Sequence, residues 1–433
     1  MRLFRHSTRL PFRGGRFSCA PFFVIAAMAA QQVAAQSYQA LEQTVESRRT
    51  SSLRRSVNDV LSDPAAFQDA EKLQEFDTYF QGYVFPVMTQ FESETQLGKI
   101  GQGRKSFLTR YLWKAGHPAV HKHLTGMTLD QMKTVATGNF HPVARYNAVL
   151  ILGFLDEQPA DDRADRPPVP LPDAADVMLG MLEADPAKTP DTVVIGSLLG
   201  MLRHVKYELS ADQAKRLTDA AVAIAGSQRP RDRSAEGHAW IQTLAGASLA
   251  NMGQLGENHA AHKALLALIA DSERPLSNRC REAELLARLK DQYTDGAGVD
   301  GAATVAALVA LAKDIAKAEQ DEAEKYIELK RSTGTITIIG EEIKYPRSST
   351  LHRINCMLTA LDAAGAVVPD EAKEHLKSIH DALDGAKKLV VEKKGIDLTL
   401  AIGIDERFAP AILDAADLIT PADDAEEVLD ELP

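Results

Sequence analysis

The chain has little of what most catalytic and nucleic-acid sites need. Its 433 residues hold 3 Cys and 2 Trp, and aromatics make up 6%. Sparse aromatics count against a surface that stacks on sugars or nucleobases. Positive charge is not in excess either, with a formal net charge of −11. So acidic a protein disfavours nucleic acid and anionic membrane as main partners, and suits a basic partner or loosely held cations. No G-x-S-x-G occurs, and no Cys stands beside a local His pattern. That removes the common nucleophile signatures but not every enzyme, because triads assemble across a fold. The apolar run Pro21–Ala30, PFFVIAAMAA, falls short of the ~20 residues of a membrane-spanning helix.

That run has the length of a signal-peptide core. Arg2, Arg5, Arg9, Arg13 and Arg16 precede it, and Val33-Ala34-Ala35 puts small residues where cleavage before Gln36 needs them. Residues 1–35 are therefore expected to be a cleavable signal peptide. The mature protein is expected to be periplasmic or secreted, with no transmembrane anchor. Loss of the five arginines takes the formal charge from −11 to −16. Cys19 precedes the apolar run, so it is no lipoprotein attachment site. Cys280 and Cys356 remain, 76 positions apart. An oxidising compartment would let them pair. Both fall on apolar helix faces, so two buried free thiols are the plainer reading.

The pattern that is present is helical. In Asn139–Leu155, NFHPVARYNAVLILGFL, Pro142 suits a first helical turn and Asn139 an N-cap. Val143, Tyr146, Val149, Leu150, Phe154 and Leu155 recur at three- and four-residue steps, and Ala148, Ile151 and Leu152 widen that face. A helix apolar on most sides needs neighbours on both flanks. Echoes follow at Glu236–Met252 and, as PLSNRCREAELLARL, at Leu276–Leu289, where Arg279 takes the place of Arg145. The stretch resembles the second helix of a HEAT-type (armadillo-type) repeat, and the irregular echoes resemble a divergent array of a bacterial exported protein. The resemblance implies an all-α superhelix, a structural role for Arg145, and a surface that binds a protein or peptide.

The order of elements follows. Residues 36–103 read as a lead-in and helical cap, with Phe76, Tyr79, Phe80, Tyr83, Phe85 and Phe91 supplying cover. Residues 104–390 read as the solenoid, with helices at Phe107–Trp113, Leu129–Val135, Ala174–Glu183, Thr192–Val205, Ala211–Ala225, His259–Ala270, Ala302–Arg331, Ser349–Ala363 and Asp370–Leu389. Asp156–Asp173 carries five Pro and six acids and reads as an inserted loop. TGTITIIGEEIKY, Thr333–Tyr345, favours strands and is expected to form a β-hairpin. Residues 391–433 read as a helical segment, ambiguous over Ile396–Leu413, with an acidic tail from Pro421.

Candidate chemistry is thin. His117, His121 and His123 lie in HPAVHKH, and the four-residue step puts His117 and His121 on one helix face, as a divalent metal would need. His141 or Asp130 would have to supply a further ligand, and HExxH is missing. Pro118 suggests a loop edge, and loop or surface histidines are the ordinary alternative. Gly98–Ser106, GKIGQGRKS, nearly spells a phosphate-binding loop, but Arg104 pushes Lys105 and Ser106 out of register and no buried strand precedes it. A flexible basic loop is the expectation. Glu371, Glu374, His375 and His380, and Glu341, Glu342 and Lys344, read as solvated charged faces. No cofactor motif is found. The expected function is a non-enzymatic interaction scaffold of the cell envelope or secreted space. An α/α-framework enzyme acting on polysaccharide is one alternative, although it should show clustered Trp, Tyr and carboxylates. A divalent-metal-binding periplasmic protein is the other.

Overall fold

The structure is a computed structural model. It describes residues 38–90, 97–161, 164–186, 188–207, 209–294, 298–333, 337–338, 341–342, 344–392 and 397–418. Residues 1–35, expected to be a signal peptide, and the tail from Pro421 lie outside the described residues. Residues 40–433 form one compact unit. The fold is all-α, with two small antiparallel strand pairs.

The cap contains α1 (Thr50–Ser62), α2 (Pro64–Gln68) and α3 (Ala70–Tyr79). Asp63 and Asp69 start α2 and α3 by accepting from backbone N–H groups of their first turns. Of the aromatics expected as cover, Phe76, Tyr79, Phe80 and Phe85 are buried, beside Phe107, and Tyr83 is half-buried, while Phe91 lies outside the described residues. α3 runs into a π-helical turn at Phe80–Val84, two residues before Pro86. Proline has no N–H to give the carbonyl four residues back, so Gly82 O needs donors from elsewhere. Thr44 N and Val45 N supply them, both at 3.1 Å. Gly82 must also be glycine, because a Cβ there would stand 2.5 Å from Thr44 Oγ1.

α4 (Leu97–Arg110) follows, then five helix pairs. They are α5 (Pro118–Thr137) with α6 (Pro142–Leu152), α7 (Pro172–Leu182) with α8 (Asp191–His204), and α9 (Ala211–Ala225) with α10 (Ala235–Asn251). α11 (Ala260–Ala270) with α12 (Leu276–Leu285), and α13 (Gly301–Thr333) with α14 (Arg347–Ala364), complete the set. The second helices α6, α8, α10, α12 and α14 pack on one another in that order, and α7, α9, α11 and α13 do the same. α15 (Asp370–Glu392), α16 (Asp397–Gly403) and α17 (Ala409–Asp417) close the fold, with a second π-helical turn at Ile404–Phe408 just before Pro410. The ambiguous Ile396–Leu413 stretch is thus largely helical over its described residues.

Three readings need correction. α5 spans twenty residues rather than Leu129–Val135, because Pro118 is its first residue and not a loop edge. Gly98–Ser106 lies within α4, so it is neither a phosphate loop nor a flexible one. The Asp/Pro-rich insertion is paired: β1 (Asp156–Gln158) runs antiparallel to β2 (Val169–Pro170). The expected hairpin shows as β3 (Thr337–Ile338) against β4 (Glu341–Glu342), and α13 continues to Thr333.

α6 is covered on most sides, as its sequence requires. Ala144, Asn147, Ala148, Val149, Ile151 and Leu152 are buried, whereas Phe154 is exposed, so the core face is rotated from the one expected. Its N-cap is His141 rather than Asn139, with Nδ1 accepting from Val143 N at 3.2 Å. Arg145, the fourth residue of α6, donates Nε to Ala136 O at 2.8 Å. Arg279, the fourth residue of α12, donates Nε to Ile269 O at 2.7 Å. Each ties a second helix to the carbonyl one residue before the end of the first helix. His238, fourth in α10, ties back through Nε2 to Ser227 O at 2.9 Å.

Candidate functional site

The three histidines of HPAVHKH are parted by what they touch. His121 is buried and meets the Asp156 carbonyl through Nε2 at 2.8 Å, which holds β1 against α5. His123 turns to the cap, with Nε2 2.6 Å from Asp77 Oδ1 and the Phe67 and Phe76 rings beside it. His117 occupies the N-cap position of α5 without a capping bond. His141 caps α6, and the Asp130 side chain is exposed. Among the described residues no group of three or more His, Cys, Asp or Glu is placed to hold a metal ion. In this arrangement His121 and His123 fasten neighbouring elements together.

The other candidates disperse in the same way. Glu371 and Glu374 are exposed on α15, and His380 reaches Asp362 at 3.3 Å across α14 and α15. Lys344 is exposed. Cys280 and Cys356 are buried free thiols, and burial pushes both well above the ordinary thiol value, Cys280 to about 12.

Charged groups that do converge are internal. Arg274 and Glu282, nearly inaccessible, pair at 2.6 Å. Thr243 donates to Glu282 Oε1 at 2.5 Å, Asn278 donates to Thr243 Oγ1 at 2.9 Å, and Arg274 also donates to Gln242 Oε1. Glu319 accepts from Arg353 at 2.8 Å and Thr350 at 2.6 Å. Both networks join helices, and Glu319 lines a small pocket whose other residues are mostly apolar.

The surface carries a different feature. Both tryptophans are outside: Trp113 is 54% exposed and Trp240 is 39% exposed. Trp113 follows α4, Phe154 follows α6, and Arg203 and Tyr207 lie at and just beyond the end of α8. The packing of α6 on α8 brings these ends together. Gly153 and Gly200 let the two backbones meet, since a Cβ on Gly153 would lie 2.7 Å from Gly200 Cα. Arg203 then reaches Gly153 O at 3.2 Å and grips Asp156 at 2.6 and 2.9 Å. Burial holds the Asp156 carboxyl above its ordinary value, although Arg203 pulls it down.

The Arg203 guanidinium sits 5.6 Å from the Phe154 ring centre and 5.5 Å from that of Tyr207. Trp113 meets Phe154 edge to face at 6.1 Å. The result is a ridge in which exposed Trp113, Phe154 and Tyr207 surround a half-buried Arg203, locked from below by the Asp156 pair. Lys114 and Lys206 are exposed beside it in sequence. Trp240, with Arg281 5.7 Å from its ring, forms a smaller second spot on α10 and α12. Sequence reading missed the ridge because its members come from three helix ends. The one usable signal was an aromatic or Arg just past each apolar run.

The protein matches no protein-family model, and neither a curated protein nor a solved structure shows significant similarity to it.

Proposed function

We propose that this protein is a divergent HEAT-like helical array, exported to the cell envelope or secreted space, which acts as a non-enzymatic scaffold for a protein or peptide partner. The observation that carries this reading is the ridge Trp113–Phe154–Arg203–Tyr207. Trp, Tyr and Arg dominate the energetics of interfaces because they offer large rigid area and a polar handle together. Here the Arg is stacked between rings and its charge is answered by Asp156, so a partner would desolvate a preformed, partly neutralised surface. Stacked helix pairs present such ridges on a rigid frame. The acidic balance of the sequence supports a protein partner over nucleic acid.

The test is affinity capture from envelope extract with three baits: the natural protein, a Trp113→Ala/Tyr207→Ala variant, and a Lys377→Ser control on α15. The reading expects a stoichiometric partner that the control retains and the ridge variant loses at least tenfold. Equal capture by all three baits, or turnover of a glycan without any stable partner, would overturn it.

A further inference from the structure

Two second helices, α6 and α12, carry an Arg tie to the first, and only one of the two meets a carboxylate. At Arg279 the next helix supplies a carboxylate: Asp314 of α13 meets Nη1 at 2.7 Å. At Arg145 the next helix, α7, supplies none. Its Asp176 is taken by Arg216 at 3.0 Å and Gln213 at 3.1 Å. Among the described residues, no carboxylate comes within ion-pair distance of Arg145, and Ala136 O is its one hydrogen-bond partner. Beyond this unanswered guanidinium lies a cleft of about 750 Å³ between α5 and α7. That volume is ordinary for a ligand site. Arg145 is half-buried there, and burial alone holds its pKa below the usual value.

The wall of the cleft is kept open. Gly180 lies inside α7, where glycine costs about 1 kcal/mol against alanine. A Cβ at Gly180 would meet no atom within 4 Å, so neighbouring helices do not demand this glycine. Any side group there would project toward the cleft that Gly180 lines. Val177 and Met181 give the same wall an apolar face, and Lys133, Lys188, Asp130, Asp173 and Asp176 also line the cleft.

We infer that this cleft is a peptide site in which Arg145 receives a carboxylate. A guanidinium offers a planar fork that matches a carboxylate, and its Nε is already committed to Ala136, which fixes the plane. The acids that line the cleft offer acceptors to peptide N–H groups. The carboxylate is either an internal Asp or Glu side group or the C-terminus of the peptide, and the shared chemistry is one singly charged planar anion on an extended backbone. This site is separate from the aromatic ridge, so either can fail alone.

Three N-acetylated octapeptides of Ala, Val and Ser decide it by calorimetry with the purified protein. One carries a central Glu and an amidated end, one has no Glu and a free C-terminus, and one has neither. At least one carboxylate peptide should bind ten times more tightly than the third, and the stronger of the two identifies the source. Gly180→Leu fills the cleft while raising helix propensity, so it should fold at least as well and abolish this binding. Arg145→Lys, where it folds, should weaken it at least tenfold. No binding by either carboxylate peptide, equal binding of all three, or undiminished binding to Gly180→Leu would each overturn the inference.

Discussion

Glycine has opposite meanings at different positions of this protein, and the difference is measurable. Gly153 faces backbone: a Cβ there would lie 2.7 Å from Gly200 Cα, and backbone cannot swing aside. Gly126 lies inside α5 with no atom within 4 Å of its built Cβ. The same substitution should therefore change sign. Gly153→Ala should cost about 1–3 kcal/mol through forced separation of α6 and α8, and Gly126→Ala should add about 0.5–1 kcal/mol through helix propensity. Urea midpoints for the two variants check both signs. Histidine offers a second residue-level test. Burial lowers His204 and His262 to about 4. The unfolded protein takes up those protons near 6.5, so the neutral rings stabilise the fold above that pH. This contribution is lost as pH falls toward 4, by about 3 kcal/mol per histidine when complete. Proton NMR of the imidazoles should show two rings still neutral at pH 5.

At the scale of the element, a proline gives the lead-in segment part of its hold, beside the Leu41 bonds to Thr89 and Gln90 and the burial of Val45. Pro86 leaves Gly82 O without its helical donor, and Thr44 and Val45 bind it instead. Pro86→Ala restores an N–H that competes for that carbonyl, so the segment around Thr44 should be released. Limited proteolysis should then cut near residues 40–49 at least tenfold faster, with α5 to α14 still protected; an unchanged cleavage rate would show that other contacts hold the segment. Local chemistry of this kind also decides how much was legible in sequence. Ala211–Ala225 was readable to the residue because Ser210 and Gln213 form a capping box. Most of α5 was unreadable because proline signals both a break and a first turn, and only packing separates the two. The strand pair at Asp156 was hidden because its pairing depends on His121 and Arg203, residues distant in sequence. The aromatic ridge escaped for the same reason, since it needs the Gly153–Gly200 approach to exist at all.

The molecule as a whole has a seam. Buried apolar residues form two clusters, one from Val45 to Ala261 and one from Ala250 to Ala416, which meet around α10, α11 and α12. A polar network crosses between α10 and α12 there: Gln242, Thr243 and Asn278 gathered on the Arg274–Glu282 pair. The pair therefore shares with apolar contact in coupling the halves at this point. Removing one partner of a buried pair costs about 3–5 kcal/mol because the other is left uncompensated. Arg274→Met should do this to Glu282, whose carboxyl burial already raises to about 7. Without Arg274 it rises further, and a raised carboxyl means stability present at low pH and lost as pH climbs through the folded value. The variant should therefore resemble the natural protein at pH 6, where Glu282 is protonated, and weaken sharply toward pH 9. At pH 9 its denaturant unfolding should split into two transitions, with amides of α6 and α8 exchanging separately from those of α13 and α14. A single transition whose midpoint is unmoved between pH 6 and 9 would mean that apolar packing, not the ion pair, joins the two halves.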